Sequence, residues 1–181
     1  MRLITTICSF VLTLMLAATL ACTTNAKSPD VTGSIRNDLK QAGLNDVSVS
    51  QDRDKGVVTL SGNVASDADK DRADSIAKAR AGNQVVSNEI GVRPNGDEST
   101  ARKVDSDLDA GINKNLDAML VQHKLKDNVR YNVENGVVTL KGSVPSPTQR
   151  TSVENMAQQV PNVKQVVNEL EVKHQKASST K

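Results

Sequence analysis

The residues with chemistry to offer are few. Histidine occurs only at positions 123 and 174, and cysteine only at 8 and 22. A Ser-His-Asp hydrolase needs a positioned nucleophile, and no Gly-x-Ser-x-Gly elbow accompanies His123 or His174. Two acidic runs imitate calcium loops. Asp67-Ala68-Asp69-Lys70-Asp71 begins like one, yet Arg72 stands where the obligatory glycine belongs and Lys78 where a bidentate Glu should be. Asp105-Ser106-Asp107-Leu108-Asp109 fails likewise, with Ala110 and Leu116 at those positions. Acids in the first turn of a helix need no metal to explain them, because they face the positive end of its dipole. The expectation is a chain with no catalytic set, no metal site and no cofactor, hence not an enzyme.

Composition narrows the partners. The first 21 residues have the layout of a secretory signal, with Arg2 as the only charge and an apolar run from Leu3 to Leu20. Without them the chain keeps one aromatic residue, Tyr131, and 22 basic against 21 acidic side chains. Base stacking needs aromatic faces, and wrapping a phosphate backbone needs a basic excess. Both are missing, so nucleic acid is not an expected partner.

Cys8 leaves with the signal, so Cys22 has no partner for an internal disulfide. Thr19-Leu20-Ala21-Cys22 resembles a bacterial lipobox, in which the cysteine is acylated and becomes the new N-terminus. Thr23 follows, whereas Asp there resembles an inner-membrane retention signal, which favours the outer membrane. The alternative is an ordinary signal cut after Ala26. On the first reading, residues 1–21 are signal and residues 22–29 a tether.

What must be positioned behind that tether is a repeat. Gly56-Val57-Val58-Thr59-Leu60-Ser61-Gly62-Asn63-Val64 recurs 80 residues later as Gly136-Val137-Val138-Thr139-Leu140-Lys141-Gly142-Ser143-Val144, with seven of nine residues identical. Downstream, Val86, Asn88, Glu89, Ile90 and Val92 match Val166, Asn168, Glu169, Leu170 and Val172. Units of this size can each hold a small core, so two domains are expected, at residues 30–93 and 100–173. The breaker-rich stretch 94–99 reads as linker and 174–181 as a flexible tail.

Each unit reads helix, strand, strand, helix, strand. Val31, Ile35 and Leu39 share a helix face, as do Leu108, Ile112 and Leu116. Ser28-Pro29-Asp30 reads as the start of the first helix and Gly43 as its end. Val47 and Val49 alternate into the charged turn Asp52 to Lys55, and Tyr131 and Val133 lead to the Asn135-Gly136 turn. Ser146-Pro147-Thr148-Gln149 combines an N-cap, a first-turn proline and a capping-box Gln; Ser66 and Asp69 do the same more weakly. Ala73, Ile76 and Ala77 correspond to Val153, Met156 and Ala157 as the second buried stripe. Gly62 and Gly142 sit at core-facing parity within strands, which points to a helix backbone approaching closely. Asn88 and Asn168 interrupt an apolar face, and each should bond a neighbouring loop's backbone.

Gly-Val-Val-Thr-Leu-x-Gly-x-Val, a helix, then Val-[Ser/Val]-Asn-Glu-[Ile/Leu]-x-Val, resembles the BON domain, here twice over residues 30 to 173. The resemblance implies an α/β chain of the α+β sandwich kind: two tandem αββαβ domains, each a three-stranded mixed sheet with two helices on one face. Gly56, Gly62, Asn88, Gly136, Gly142 and Asn168 are its structural motif. It also implies a non-enzymatic envelope protein contacting phospholipid or envelope proteins, or else a soluble periplasmic stress protein with holdase-like action. Arg102, Lys103 and Lys114 on the second unit's first helix are the candidate lipid contacts, although Asp105, Asp107, Asp109 and Asp117 outnumber them.

Overall fold

The computed structural model describes residues 27–94, 96 and 98–173. Cys8, Cys22, His174, the signal, most of the tether and the tail lie outside the described residues. The first unit runs α1 (Thr32–Gln41), β1 (Val47–Asp52), β2 (Val57–Val64), α2 (Asp67–Ala81), β3 (Val85–Asn88) and β4 (Gly91–Val92). The second runs α3 (Glu98–Gln122), β5 (Val129–Glu134), β6 (Val137–Val144), α4 (Pro147–Gln158), β7 (Gln165–Asn168) and β8 (Glu171–Val172).

In each sheet the middle strand pairs antiparallel with the first and parallel with the last, β1-β2-β3 and β5-β6-β7. The short β4 and β8 continue the last strand along the middle one, with Val64 opposite Val92 and Val144 opposite Val172. The third strand of the expected sheet is therefore present but broken, at Glu89–Ile90 and Glu169–Leu170.

The break lies level with Gly62 and Gly142. Their φ values are +108° and +114°, which L side chains rarely adopt. A Cβ at Gly62 would sit 2.1 Å from the Asp46 carbonyl oxygen, and one at Gly142 would sit 2.2 Å from that of Asn128. This corrects the expectation of a helix overhead: the close approach comes from the chain entering the neighbouring strand. The parity survives, since Val58, Leu60 and Val64 are buried.

Two helices cover one face of each sheet. Ile35 and Leu39 of α1 and Ala73, Ala77 and Ala81 of α2 close over Val47, Val49, Val58, Leu60, Val86 and Ile90. In the second unit Ile112, Leu116 and Leu120 of α3 and Val153 and Ala157 of α4 do the same over Val129, Val138, Leu140 and Leu170. The Ser146 hydroxyl accepts the Gln149 N–H at 3.2 Å and Pro147 opens α4; Ser66 caps α2 through the Asp69 N–H. Gly43, at φ +78°, ends α1 as expected.

Three expectations shift. Helix α1 starts at Thr32, three residues later than a Ser28 cap would place it, because Ser28 is tied to Arg53: its N–H donates to the Arg53 carbonyl and its carbonyl accepts from Arg53 Nε. Asp30 is what remains of the cap, accepting the Thr32 N–H at 3.0 Å. Leu108 is 36% exposed and does not belong to the core stripe, which runs Ile112, Leu116, Leu120. Helix α3 also begins inside the expected linker. It has 25 residues against 10 for α1, and its added N-terminal turns carry Leu108 past its own core.

The two asparagines bond a helix rather than a loop. Asn88 Nδ2 reaches the Lys70 carbonyl of α2 and its Oδ1 accepts the Ile90 N–H, both at 3.4 Å. Asn168 reaches the Arg150 carbonyl of α4 at 3.3 Å and accepts the Leu170 N–H at 3.1 Å. Each amide thus holds the broken strand to the crossover helix and supplies a partner that the break removed.

Candidate functional site: the seam and cleft between the units

A parallel strand that is apolar on both faces must be covered on both. Val57-Val58 and Val137-Val138 are such pairs. Val58 and Val138 enter their own cores, while Val57 and Val137 pack with Val167 in a third, smaller cluster that spans the two units. The bare sheet faces are thereby joined.

Polar contacts fix the register of this seam. The Gln165 side chain acts as a short strand against β3: its Oε1 accepts the Asn88 N–H at 3.2 Å and its Nε2 donates to the Val86 carbonyl at 2.7 Å. Asn135 Nδ2 donates to the Glu89 carbonyl at 2.7 Å, and Lys55 pairs with Glu171. The relation is close to twofold, since the hairpin turn of each unit reaches the broken strand of the other.

Beside the seam opens a polar cleft of about 570 Å³, with Gly62, Asn63 and Arg93 on one side and Arg102, Asp105 and Glu134 on the other. Arg93, only 11% exposed, pairs with Asp105 and donates to the Val92 carbonyl, while its Nε is buried without a partner. Asp109 accepts the Asn135 and Gly136 N–H groups at 2.8 Å each and so fixes the hairpin turn, whose residues have φ of +51° and +82°. The acidic run at 105–109 is thus partly consumed by structure. Among the described residues no group of three or more His, Cys, Asp or Glu side chains is placed to hold a metal ion.

Burial perturbs two charges here. The Glu89 carboxyl is pushed above the usual carboxylate range by desolvation, further raised by Glu134 and Glu169, and eased by a hydrogen bond from Ser87 and by Lys141. The Lys70 ammonium, which donates to the Ile90 carbonyl at 2.7 Å, is pushed below its ordinary value by burial and by Lys164 of the other unit.

The three basic residues expected to contact lipid do not form one patch. Arg102 lines the cleft and pairs with Glu98 at 3.3 Å; Lys103 pairs with Asp107 at 3.0 Å; Lys114 is exposed further along α3. Beside them Val104 is 51% exposed and Leu108 36%. His123 is exposed in the turn after α3. Arg93, Gln165 and Glu89 escaped the sequence reading as site residues. The signal for Gln165 was its departure from the repeat, where the first unit has Val85.

Among the described residues no helix is long and apolar enough to cross a membrane. The chain is 32% identical over 124 residues to a protein of Anaplasma centrale described as an uncharacterized protein in the gshII 5' region, covering 67% of this chain and 80% of that one. It is 33% identical over 127 residues to the osmotically-inducible protein Y of Escherichia coli, covering 69% of this chain and 62% of that protein. Among solved structures, the C-terminal domain of CdsD, a structural protein of the type III secretion system of Chlamydia trachomatis, aligns over 78% of this chain and 65% of its own at 15% identity, with a TM-score of 0.32. The BON domain model matches residues 28–94 and 105–174, each span containing one helix-covered sheet and its glycine-kinked middle strand. The chain belongs to the BON domain family.

Proposed function

We propose that this chain is a non-enzymatic periplasmic protein, held at the outer membrane by an acylated Cys22, that contacts phospholipid and so supports envelope integrity. The observation that carries the reading is the free surface of α3, where Val104 and Leu108 stand exposed near Lys103, with Lys114 exposed further along the helix. An anchored protein sits at high effective concentration near headgroups, so weak contacts suffice. Lys103 is offset by Asp107, which makes the attraction modest and salt-sensitive.

The test is co-flotation of the chain with vesicles containing anionic lipid. Binding that falls as salt rises, and falls again in a Lys103→Glu, Lys114→Glu variant, supports the reading. No binding at high protein concentration, together with a specific protein crosslink in cells, moves the contact to an envelope protein.

The second reading is a soluble periplasmic stress protein with holdase-like action, favoured by the 33% identity to an osmotically inducible protein. Mass spectrometry of the mature N-terminus separates the two: acyl mass on Cys22 supports the anchor, and a chain beginning at Lys27 without it supports the soluble form.

A further inference from the structure

The seam brings repeat-equivalent acids into one electrostatic neighbourhood. Glu89 follows β3 and Glu169 follows β7, each at the break in its own third strand. The Glu169 side chain is 10% exposed, and its ion-pair partner Lys141 stands off at 3.8 Å. Glu89 lies across the seam, with its main-chain carbonyl bonded to Asn135 and its carboxylate accepting from Ser87 Oγ at 3.1 Å. Glu134, at the end of β5, and Glu169 are the two acids acting on it, and Lys141 of β6 is the cation. Asp52 and the paired Lys55 and Glu171 line the same side of the seam next to Lys141. The Glu89 carboxylate is thus held where the two units touch, bonded to Ser87, which is itself only 1% exposed, with Glu134, Glu169 and Lys141 of the other unit acting on it.

We infer that the seam is a proton-sensitive latch: uptake of a proton by Glu89 tightens the contact between the two BON units, and its ionisation beside the charges of the other unit loosens it.

The direction follows from linkage. The Glu89 carboxyl takes up its proton at higher pH with the seam closed than with the units apart, because closure buries it and adds Glu134 and Glu169. The closed state therefore binds more protons in a window that starts above 4.5, the ordinary value, and ends above the raised one. Closure weakens as pH rises through that window and carries its full penalty beyond it. The units can part without unfolding, since each has its own core.

The experiment is amide hydrogen exchange on the full chain between pH 5.5 and 8, corrected for the intrinsic rate. The Asn88 N–H, held across the seam by Gln165, is read against the core amides of β2 and β6. The expected result is protection of Asn88 that rises as pH falls, by at most about ten-fold per pH unit for one proton, while core amides do not follow. Glu89→Gln should be more protected than the parent at pH 8 and nearly independent of pH. Lys141→Met, which removes the cation, should lower protection at pH 8 and steepen the dependence. Constant Asn88 protection in the parent, or a Glu89→Gln chain that keeps the parent's slope, overturns the proposal. Should Glu89→Gln fold poorly, Glu134→Gln tests the same sign from an exposed position.

Discussion

The two units share a fold and differ in how they are finished. Where they repeat each other, at Gly62 and Gly142, Asn88 and Asn168, Ser66 and Ser146, each residue holds up its own unit: a kinked strand, a tied break, a capped helix. Where they diverge, the residue serves the contact between units or the outer surface. Val85 leaves nearly half its surface exposed, while its counterpart Gln165 clamps the other unit's edge strand. Helix α1 stops at its core and α3 runs on beyond it, bringing Asp105 to Arg93 and Asp109 to the hairpin turn. The division is not complete, since Val57 and Val137, and Glu89 and Glu169, are repeated and still serve the contact between units.

The largest break in this comparison should come from the glycines. Gly142→Val places a Cβ within 2.2 Å of a main-chain oxygen and in a backbone region closed to L residues, so a cost of about 3 kcal/mol or more is expected. Gly62→Val should cost the same. Exchange of core amides, read unit by unit, checks it: each variant should deprotect its own core most, and unchanged exchange would falsify the strained-strand account.

The element order, the cores and the capped helices were legible because each rests on a local signal repeated twice. Ser146-Pro147, Asn135-Gly136 and the Ile112/Leu116 spacing state their structure within a few residues. The site was less legible, for a physical reason. Gln165, Arg93 and Glu89 acquire their roles only when the sheets meet, and no periodicity within a unit encodes that meeting. Two hints existed, the double valines at 57–58 and 137–138 and the unmatched Gln165. Leu108 misled because it continues the apolar spacing of α3 beyond the sheet it would need for burial.

A smaller effect sharpens the comparison at the seam. Gln165→Ala removes both hydrogen bonds to β3 and leaves the Asn88 N–H and Val86 carbonyl unpaired, at a cost of roughly 1–3 kcal/mol to the contact. Val85→Ala, at the equivalent position, should cost much less because Val85 is already half exposed. Small-angle scattering and the melting profile decide: the Gln165 variant should be the more extended and the less cooperative, and equal behaviour would remove Gln165 from the clamp. Leu108→Ser should change stability by no more than about 0.5 kcal/mol, as an exposed position does. A loss comparable to that of a buried leucine would return Leu108 to the core.

The smallest effect uses the one aromatic side chain of the described residues. Tyr131 belongs to the second unit alone, so its phenol reports that unit without interference from the first. Its hydroxyl donates to the Asn113 carbonyl of α3 at 3.0 Å, with Asp117 beside it. Burial first and the Asp117 carboxylate second push its pKa up from 10.0 to about 12. A phenol held protonated in the fold means that the native unit binds a proton that the unfolded one releases, so stability of the second unit falls as pH rises from 10 to 12. Tyrosinate absorbance should therefore stay low to about pH 11 in the intact chain and appear near 10 in denaturant. Asp117→Asn should move the native titration down without bringing it to 10, because burial, the larger cause, remains. Glu89→Gln should leave it unmoved. A native phenol titrating at its ordinary value would mean that the hydrogen bond between β5 and α3 is absent in solution, and that the second unit's outer strand is held less firmly than its mate in the first.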